Sequence, residues 1–205
     1  MKTLIIVDAQ YDFLEGGSLE VTGGNEIIPV INDLIPDFDL VIFTRDYHPA
    51  GHASFASSYD GASPFTKTLL NGKEQVLWPD HCVQNTRGSE IHEDLIGSPK
   101  LKGKQVYIFK KGTDPSVDSY SGFYDNNGTQ GDTGLADFLK EKGVDEVFIT
   151  GLAYDFCVAW TAGDAARLGL KTFVIKDATR AIDPSYEIKS PDVEIITTQD
   201  LIANV

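Results

Sequence analysis

Four short apolar runs in this chain of 205 residues each lead into side chains that can do chemistry. Residues 4–7 are followed by Asp8, and residues 40–44 by Asp46, with His48 two positions on. Residues 106–109 run into Lys110 and Lys111, and residues 146–150 reach Gly151 and then Asp155 and Cys157. A single strand ending in a charge means nothing. A carboxylate, an Asp-x-His pair, a lysine and a cysteine delivered to one edge of one sheet would be the parts of a hydrolytic site.

Cys157 stands after a strand and a glycine turn, where a helix is expected to begin. Free backbone N–H groups and the positive helix end lower a thiol pKa there and offer donors to an oxyanion. Against this, cysteine is among the most buried residue types and can be a small apolar side chain packed on the sheet. A nearby lysine would stabilise the thiolate, and Asp8 could accept or return its proton. Strand alternation turns only one of Lys110 and Lys111 toward such a site.

Asp46 and His48 are two apart, so in an extended segment both project to the same side, as two ligands of one metal must. His52 and His81 are candidates to complete the set, and His81 lies in the stretch Trp78-Pro79-Asp80-His81-Cys82. Neutral imidazoles with one carboxylate suit Zn, Fe or Mn, and three protein ligands leave positions open.

The elements that must position these groups follow from periodicity. Six unalternated, β-branched runs (4–7, 40–44, 106–109, 146–150, 172–175 and 193–197) read as strands buried on both faces of a parallel sheet. Helical patterns separate them: 26–35 after Asn25 as N-cap, 135–142 after Asp132 or Thr133, and 157–168 after Asp155. Gly143 and Gly169 stand where helix C-terminal glycines belong. The alternation predicts a three-layer α/β/α fold with a mostly parallel central sheet of about six strands, in one domain over 1–205. In such sheets ligands bind outside the carboxyl ends of the strands, where the four groups stand.

Residues 47–104 break the rhythm: they are irregular, rich in Gly, Pro, Ser, Asn and aromatics, with a short helix expected over 90–96. This span carries all four histidines, which favours a functional role. Residues 97–104 only imitate a phosphate loop, because the glycine spacing is one residue too long and Gln105 follows Lys104. Asp125 to Gly128 reads as a turn rather than a calcium loop.

Composition excludes further classes. With 17 Lys+Arg against 31 Asp+Glu the net charge is −14, so a nucleic-acid or anionic-membrane binder would work against its own field. No apolar run approaches the roughly 20 residues of a membrane span. With no signal-peptide pattern and two widely separated cysteines, Cys82 and Cys157, the expectation is a cytoplasmic protein acting on a small molecule, with a homo-oligomer open.

Taken together, several stretches resemble the nicotinamidases of the isochorismatase-like cysteine hydrolase superfamily. They are Val7-Asp8-Ala9-Gln10-Tyr11-Asp12-Phe13, Thr44-Arg45-Asp46-Tyr47-His48-Pro49, Trp78-Pro79-Asp80-His81-Cys82-Val83 and Lys111-Gly112. Asp118-Ser119-Tyr120-Ser121-Gly122-Phe123 and Gly151-Leu152-Ala153 continuing to Cys157-Val158 complete the set. The resemblance runs from residue 4 to about 183, in the family's order. It implies an α/β sheet with helices on both sides and a catalytic triad of Asp8, Lys111 and Cys157, choosing Lys111 over Lys110 because the family's lysine precedes the glycine. It further implies a divalent metal, zinc above iron or manganese, on Asp46, His48 and His81 with His52 nearby. The same resemblance implies a cis Leu152–Ala153 peptide, with the Ala153 and Cys157 amides as the oxyanion hole.

The implied activity is amide hydrolysis of nicotinamide through a Cys157 thioester, in NAD salvage, with Phe13, Trp78 and Tyr120 walling the ring. Tyr154 and Phe156 depart from the family pattern, which commonly has a small hydroxyl residue and Tyr or His there; this bears on pocket volume and on acceptance of pyrazinamide. Competing readings are hydrolysis of a carbamoyl or ureido compound, isochorismate ether hydrolysis, attack by a metal-bound water with Cys157 structural, and a pyridine-sensing module without catalysis.

Overall fold

The computed structural model describes residues 1–128 and 133–203. The six expected strands form one sheet: β1 (Thr3–Val7), β2 (Leu40–Asp46), β5 (Gln105–Lys111), β6 (Glu146–Leu152), β7 (Lys171–Arg180) and β8 (Val193–Ile196). Their order is β5-β2-β1-β6-β7-β8, parallel throughout. β1 lies at the centre, with Ile5 opposite Ile42 on one side and Ile149 on the other.

The unalternated strand runs are explained by the two packed faces. Leu4, Ile6, Val41, Phe43 and Phe148 turn to one side and meet Ile27, Ile28 and Ile31 of α1 (Ile27–Leu34). Ile5, Val7, Ile42, Val147 and Ile149 turn to the other, against Leu135 and Leu139 of α3 (Leu135–Glu141) and Ala162 and Ala165 of α4 (Ala159–Arg167). Both faces of the inner strands are covered, so apolar residues occupy adjacent positions there. The edge strands β5 and β8, contrary to expectation, are not buried on both faces: Tyr107, Ile108 and Ile195 are exposed, because among the described residues no further strand extends the sheet past its margins. The remaining helices are α2 (Glu93–Ile96), inside the expected 90–96 segment, and α5 (Thr198–Ala203).

Two helix starts differ from expectation. Asn25 does not cap α1: a single 3-10 turn over Gly24–Glu26 precedes the helix, and the Asn25 Oδ1 instead accepts the Glu15 N–H at 2.8 Å. Asp155 does not cap the helix that carries Cys157, which opens as a π-helical turn over Tyr154–Val158 with no side-chain cap. For α3, Thr133 Oγ1 accepts the Leu135 N–H at 3.2 Å, while Asp132 lies outside the described residues.

The irregular span holds a hairpin that periodicity does not reveal, β3 (Lys67–Leu70) with β4 (Lys73–Val76). Half of its eight strand residues are exposed and three are charged, so no apolar alternation marks it. The signal that could have found it is Asn71-Gly72, both at positive φ (53° and 79°), the pairing that two-residue hairpin turns demand.

Candidate active site

The strand order reverses between β1 and β6, and a crevice opens there at the carboxyl ends. Asp8 leaves β1 and Cys157 follows β6, on the two sides of that point, while Asp46 and Lys111 end the neighbouring β2 and β5 in register.

Lys111, 2% exposed, is the hub. Its Nζ lies 2.8 Å from Asp8 Oδ2 and 3.0 Å from Asp46 Oδ1, donates to the Ser119 carbonyl at 2.8 Å, and reaches Cys157 Sγ at 3.5 Å. Lys110, one residue earlier, is exposed and lies over the Tyr47 ring at 4.4 Å, so alternation separates the two lysines as expected. The Thr44 hydroxyl donates to Asp8 Oδ1 at 2.6 Å and fixes that carboxylate.

Burial sets the electrostatics. It would lower the Lys111 ammonium, but Asp46 and Asp8 outweigh it and hold the group well above its ordinary range, hence charged. Burial raises the Asp8 carboxyl, which Lys111 only partly offsets. Burial also pushes the Cys157 thiol well above its usual value, against the pull of Lys111. The resting sulfur therefore keeps its proton, beside an ammonium and a carboxylate that binds protons more readily than an ordinary aspartate.

Asp46, His48 and His81 form the second cluster, with one ligand atom from each lying within 4.8 Å of the others. His48 Nδ1 is 2.9 Å from the Gly112 carbonyl and His81 Nδ1 is 2.8 Å from the Pro79 carbonyl. A carbonyl only accepts, so each Nδ1 carries the hydrogen and each neutral ring keeps its lone pair on Nε2. Both lone pairs face one oxygen: Asp46 Oδ2 is 2.9 Å from His48 Nε2 and 3.2 Å from His81 Nε2. The buried His48 Nε2 has no hydrogen-bond partner among the described residues. Acceptors converging in a dry site call for a cation between them, so these three residues fit a divalent metal ion. Burial alone would raise the Asp46 carboxyl, but the positive charge His48 carries when a proton stands in the metal's place, together with the Lys111 ammonium, outweighs it and holds it well below the usual range, ionised as a ligand must be.

Gly112 makes this cluster feasible. It has φ 64°, and a Cβ there would fall 2.5 Å from His48 Cε1 and 2.9 Å from Asp46 Oδ1. His52 lies against His48, its ring tilted by 46° with centroids 4.3 Å apart, but does not join the ligand group. Its Nε2 faces the Asp114 carbonyl at 2.7 Å and its Nδ1 accepts the Ser54 N–H at 3.1 Å, so both nitrogens are already engaged. His92, the fourth histidine, caps α2 by accepting the Asp94 N–H at 3.2 Å.

Phe13, Trp78 and Tyr120 line a cavity with Cys157, and Asp46, His81 and Ala153 also reach it. Leu19, Asp118, Ser119, Phe156 and Ile182 complete the wall. Trp78 meets Phe156 edge-on at 4.9 Å and Tyr120 edge-on at 6.2 Å. The Leu152–Ala153 peptide is cis. Of the two departures from the family pattern, Phe156 enters the cavity lining and Tyr154 does not.

Sequence reasoning overlooked Gln10. Its amide accepts the Asp46 N–H at 2.8 Å and donates to the Asp46 carbonyl at 2.7 Å, so it clamps the metal-cluster carboxylate's backbone as a neighbouring strand would. Ile182 also escaped notice, because it stands far along the chain in a segment without periodicity.

A family profile for the isochorismatase domain matches residues 2–190. The nicotinamidase of Acinetobacter baylyi is 48% identical over 195 residues, covering 95% of this chain and 88% of the relative. The structure of yeast nicotinamidase bound to the inhibitor nicotinaldehyde aligns with a TM-score of 0.88 at 34% identity, covering 97% of this chain and 100% of that one. The pyrazinamidase of Pyrococcus horikoshii in complex with zinc aligns with a TM-score of 0.73 at 34% identity, covering 96% and 98%.

Proposed function

The chain belongs to the isochorismatase family, and from that premise we infer that it is an amidohydrolase converting nicotinamide to nicotinate and ammonia. Nicotinate so formed returns to pyridine nucleotide synthesis. The single observation that carries the catalytic assignment is the Lys111 ammonium standing 2.8 Å from Asp8 and 3.5 Å from the Cys157 sulfur.

In the reading we propose, Asp8 takes the Cys157 proton while Lys111 stabilises the developing thiolate, which attacks the carboxamide carbon. The backbone amides of Ala153 and Cys157 receive the oxyanion. Asp8 then gives its proton to the departing ammonia and leaves a Cys157 thioester. Next it draws a proton from a water that attacks the thioester, and the nicotinate leaves with the thiol restored. Phe13, Trp78 and Tyr120 hold the ring flat and exclude bulk water.

Asp46, His48 and His81 would hold the metal, and two imidazoles with one carboxylate favour zinc, the ion in the Pyrococcus structure. Bound there, it supplies a Lewis acid for a ring nitrogen or a water beside it. Both cysteines are free, and a thiol that must stay reduced to work suits a reducing cytoplasm.

Replacing Cys157 with alanine tests the assignment. Ammonia release from nicotinamide should vanish, and the wild type should accumulate an acyl adduct on Cys157 when quenched during turnover. Undiminished turnover in the variant would hand the reaction to metal-activated water, and no turnover in either protein would point to a sensor. A panel with pyrazinamide and a ureido compound ranks the substrates, with nicotinamide expected first.

A further inference from the structure

Asp155 is placed by its sequence to cap the helix of the nucleophile, and it does not do so. The carboxylate is 8% exposed, and both oxygens turn to successive amides far along the chain: Oδ1 accepts the Ile182 N–H at 3.0 Å and Oδ2 the Asp183 N–H at 2.7 Å. Ile182 lines the same cavity as Cys157 and Phe156. The preceding residue repeats the device, for the Tyr154 hydroxyl accepts the Ile188 N–H at 3.3 Å and its buried ring lies under the Lys176 ammonium at 3.4 Å. The segment after β7 is thus tied at two points to the turn that carries the nucleophile.

We propose that Asp155 is a positioning residue for selectivity: its paired hydrogen bonds to the Ile182 and Asp183 amides hold Ile182 as the wall that limits the size of the ring amide admitted beside Cys157. The proposal rests on the nicotinamide reading of the site for its substrate. Its physical basis is that a coil segment past a strand end is otherwise free to give way. Charge-assisted bonds to two adjacent amides fix both its place and its orientation. A wall that cannot yield rejects an extra methyl group by roughly 10- to 200-fold, whereas a yielding one does not. Because anchor and nucleophile share one turn, the distance from sulfur to wall is set within a single rigid piece.

The test uses the full chain, metal-loaded, as wild type, Asp155→Asn, Ile182→Ala and the double variant, with thermal melts to establish folding. Two quantities are read: exchange of the Ile182 and Asp183 amide hydrogens by NMR, and the ratio of kcat/KM for nicotinamide to that for 5-methylnicotinamide. In Asp155→Asn both amides should exchange at least about tenfold faster and the ratio should fall about tenfold, carried by KM rather than kcat. Ile182→Ala should lower the ratio similarly, and the double variant should lower it no further. An unchanged ratio in folded Asp155→Asn, or additive effects in the double variant, would overturn the proposal. Wild type silent toward nicotinamide would instead overturn the substrate reading. The anchoring is then judged by exchange alone, and amides still protected in Asp155→Asn would end it.

Discussion

At the scale of single residues, the site is a set of charges that burial forces to share protons. Asp8 illustrates the consequence. Burial, aided by Asp46 and opposed by Lys111, raises its carboxyl above the ordinary 3.8, so the protonated form persists to higher pH than in an exposed aspartate. A protonated Asp8 cannot accept the thiol hydrogen. Activity therefore falls as pH is lowered through this raised value, and the acid limb of kcat/KM, measured with metal in excess, should lie above 3.8. A limb at the ordinary carboxylate position would contradict the assignment of Asp8 as base. Gly112 offers a second test. An alanine there would press on the His48 ring and on Asp46 while forcing a side chain into positive φ, so Gly112→Ala should lower metal affinity by an order of magnitude or more, read by competition with a chromogenic chelator.

At the scale of elements, the hairpin of β3 and β4 joins the site through one side chain. Gln75, 3% exposed, donates from Nε2 to Asp118 Oδ2 at 2.9 Å and to the Tyr120 hydroxyl at 3.0 Å. Asp118 in turn lies 3.9 Å from His48 Nε2. Replacing Gln75 with leucine leaves the buried Asp118 oxygen without this donor, at a cost of about 1–3 kcal/mol. KM for nicotinamide should rise several-fold with kcat nearly unchanged, since Gln75 touches the wall and not the reacting groups. A variant with wild-type KM would show the hairpin to be mere cladding. Strands and hairpin also mark what is legible at this scale. Residues 4–7 read as a strand because a strand covered on both faces is filled mainly by apolar side chains, whereas the hairpin is half exposed and leaves no such trace. Asn25 and Asp155 were plausible caps by type, yet each oxygen went to an amide brought near by tertiary contact instead of to its own helix.

At the scale of the whole molecule, a cation bound between Asp46, His48 and His81 ties together the end of β2 and the irregular span that follows it. A ligand held at a hundred times its dissociation constant adds about 2.7 kcal/mol to stability, about 5–10 °C in Tm for a chain of this size. Chelation should lower Tm by that amount and zinc should restore it, with His81→Ala imitating chelation; a melt indifferent to both would mean that a proton rather than a metal occupies the cluster.

The amino-acid sequence alone determined the parallel sheet and the identity of the groups at its carboxyl edge, because burial on two faces and the polarity of strand ends are local properties written in consecutive residues. Only the tertiary structure decided that Lys111 would stand between Asp8, Asp46 and Cys157, that His52 would spend both nitrogens on other partners, and that Asp155 would hold Ile182. Those outcomes depend on which distant atoms arrive first at an unsatisfied hydrogen-bonding group, and no window of neighbouring residues contains that information.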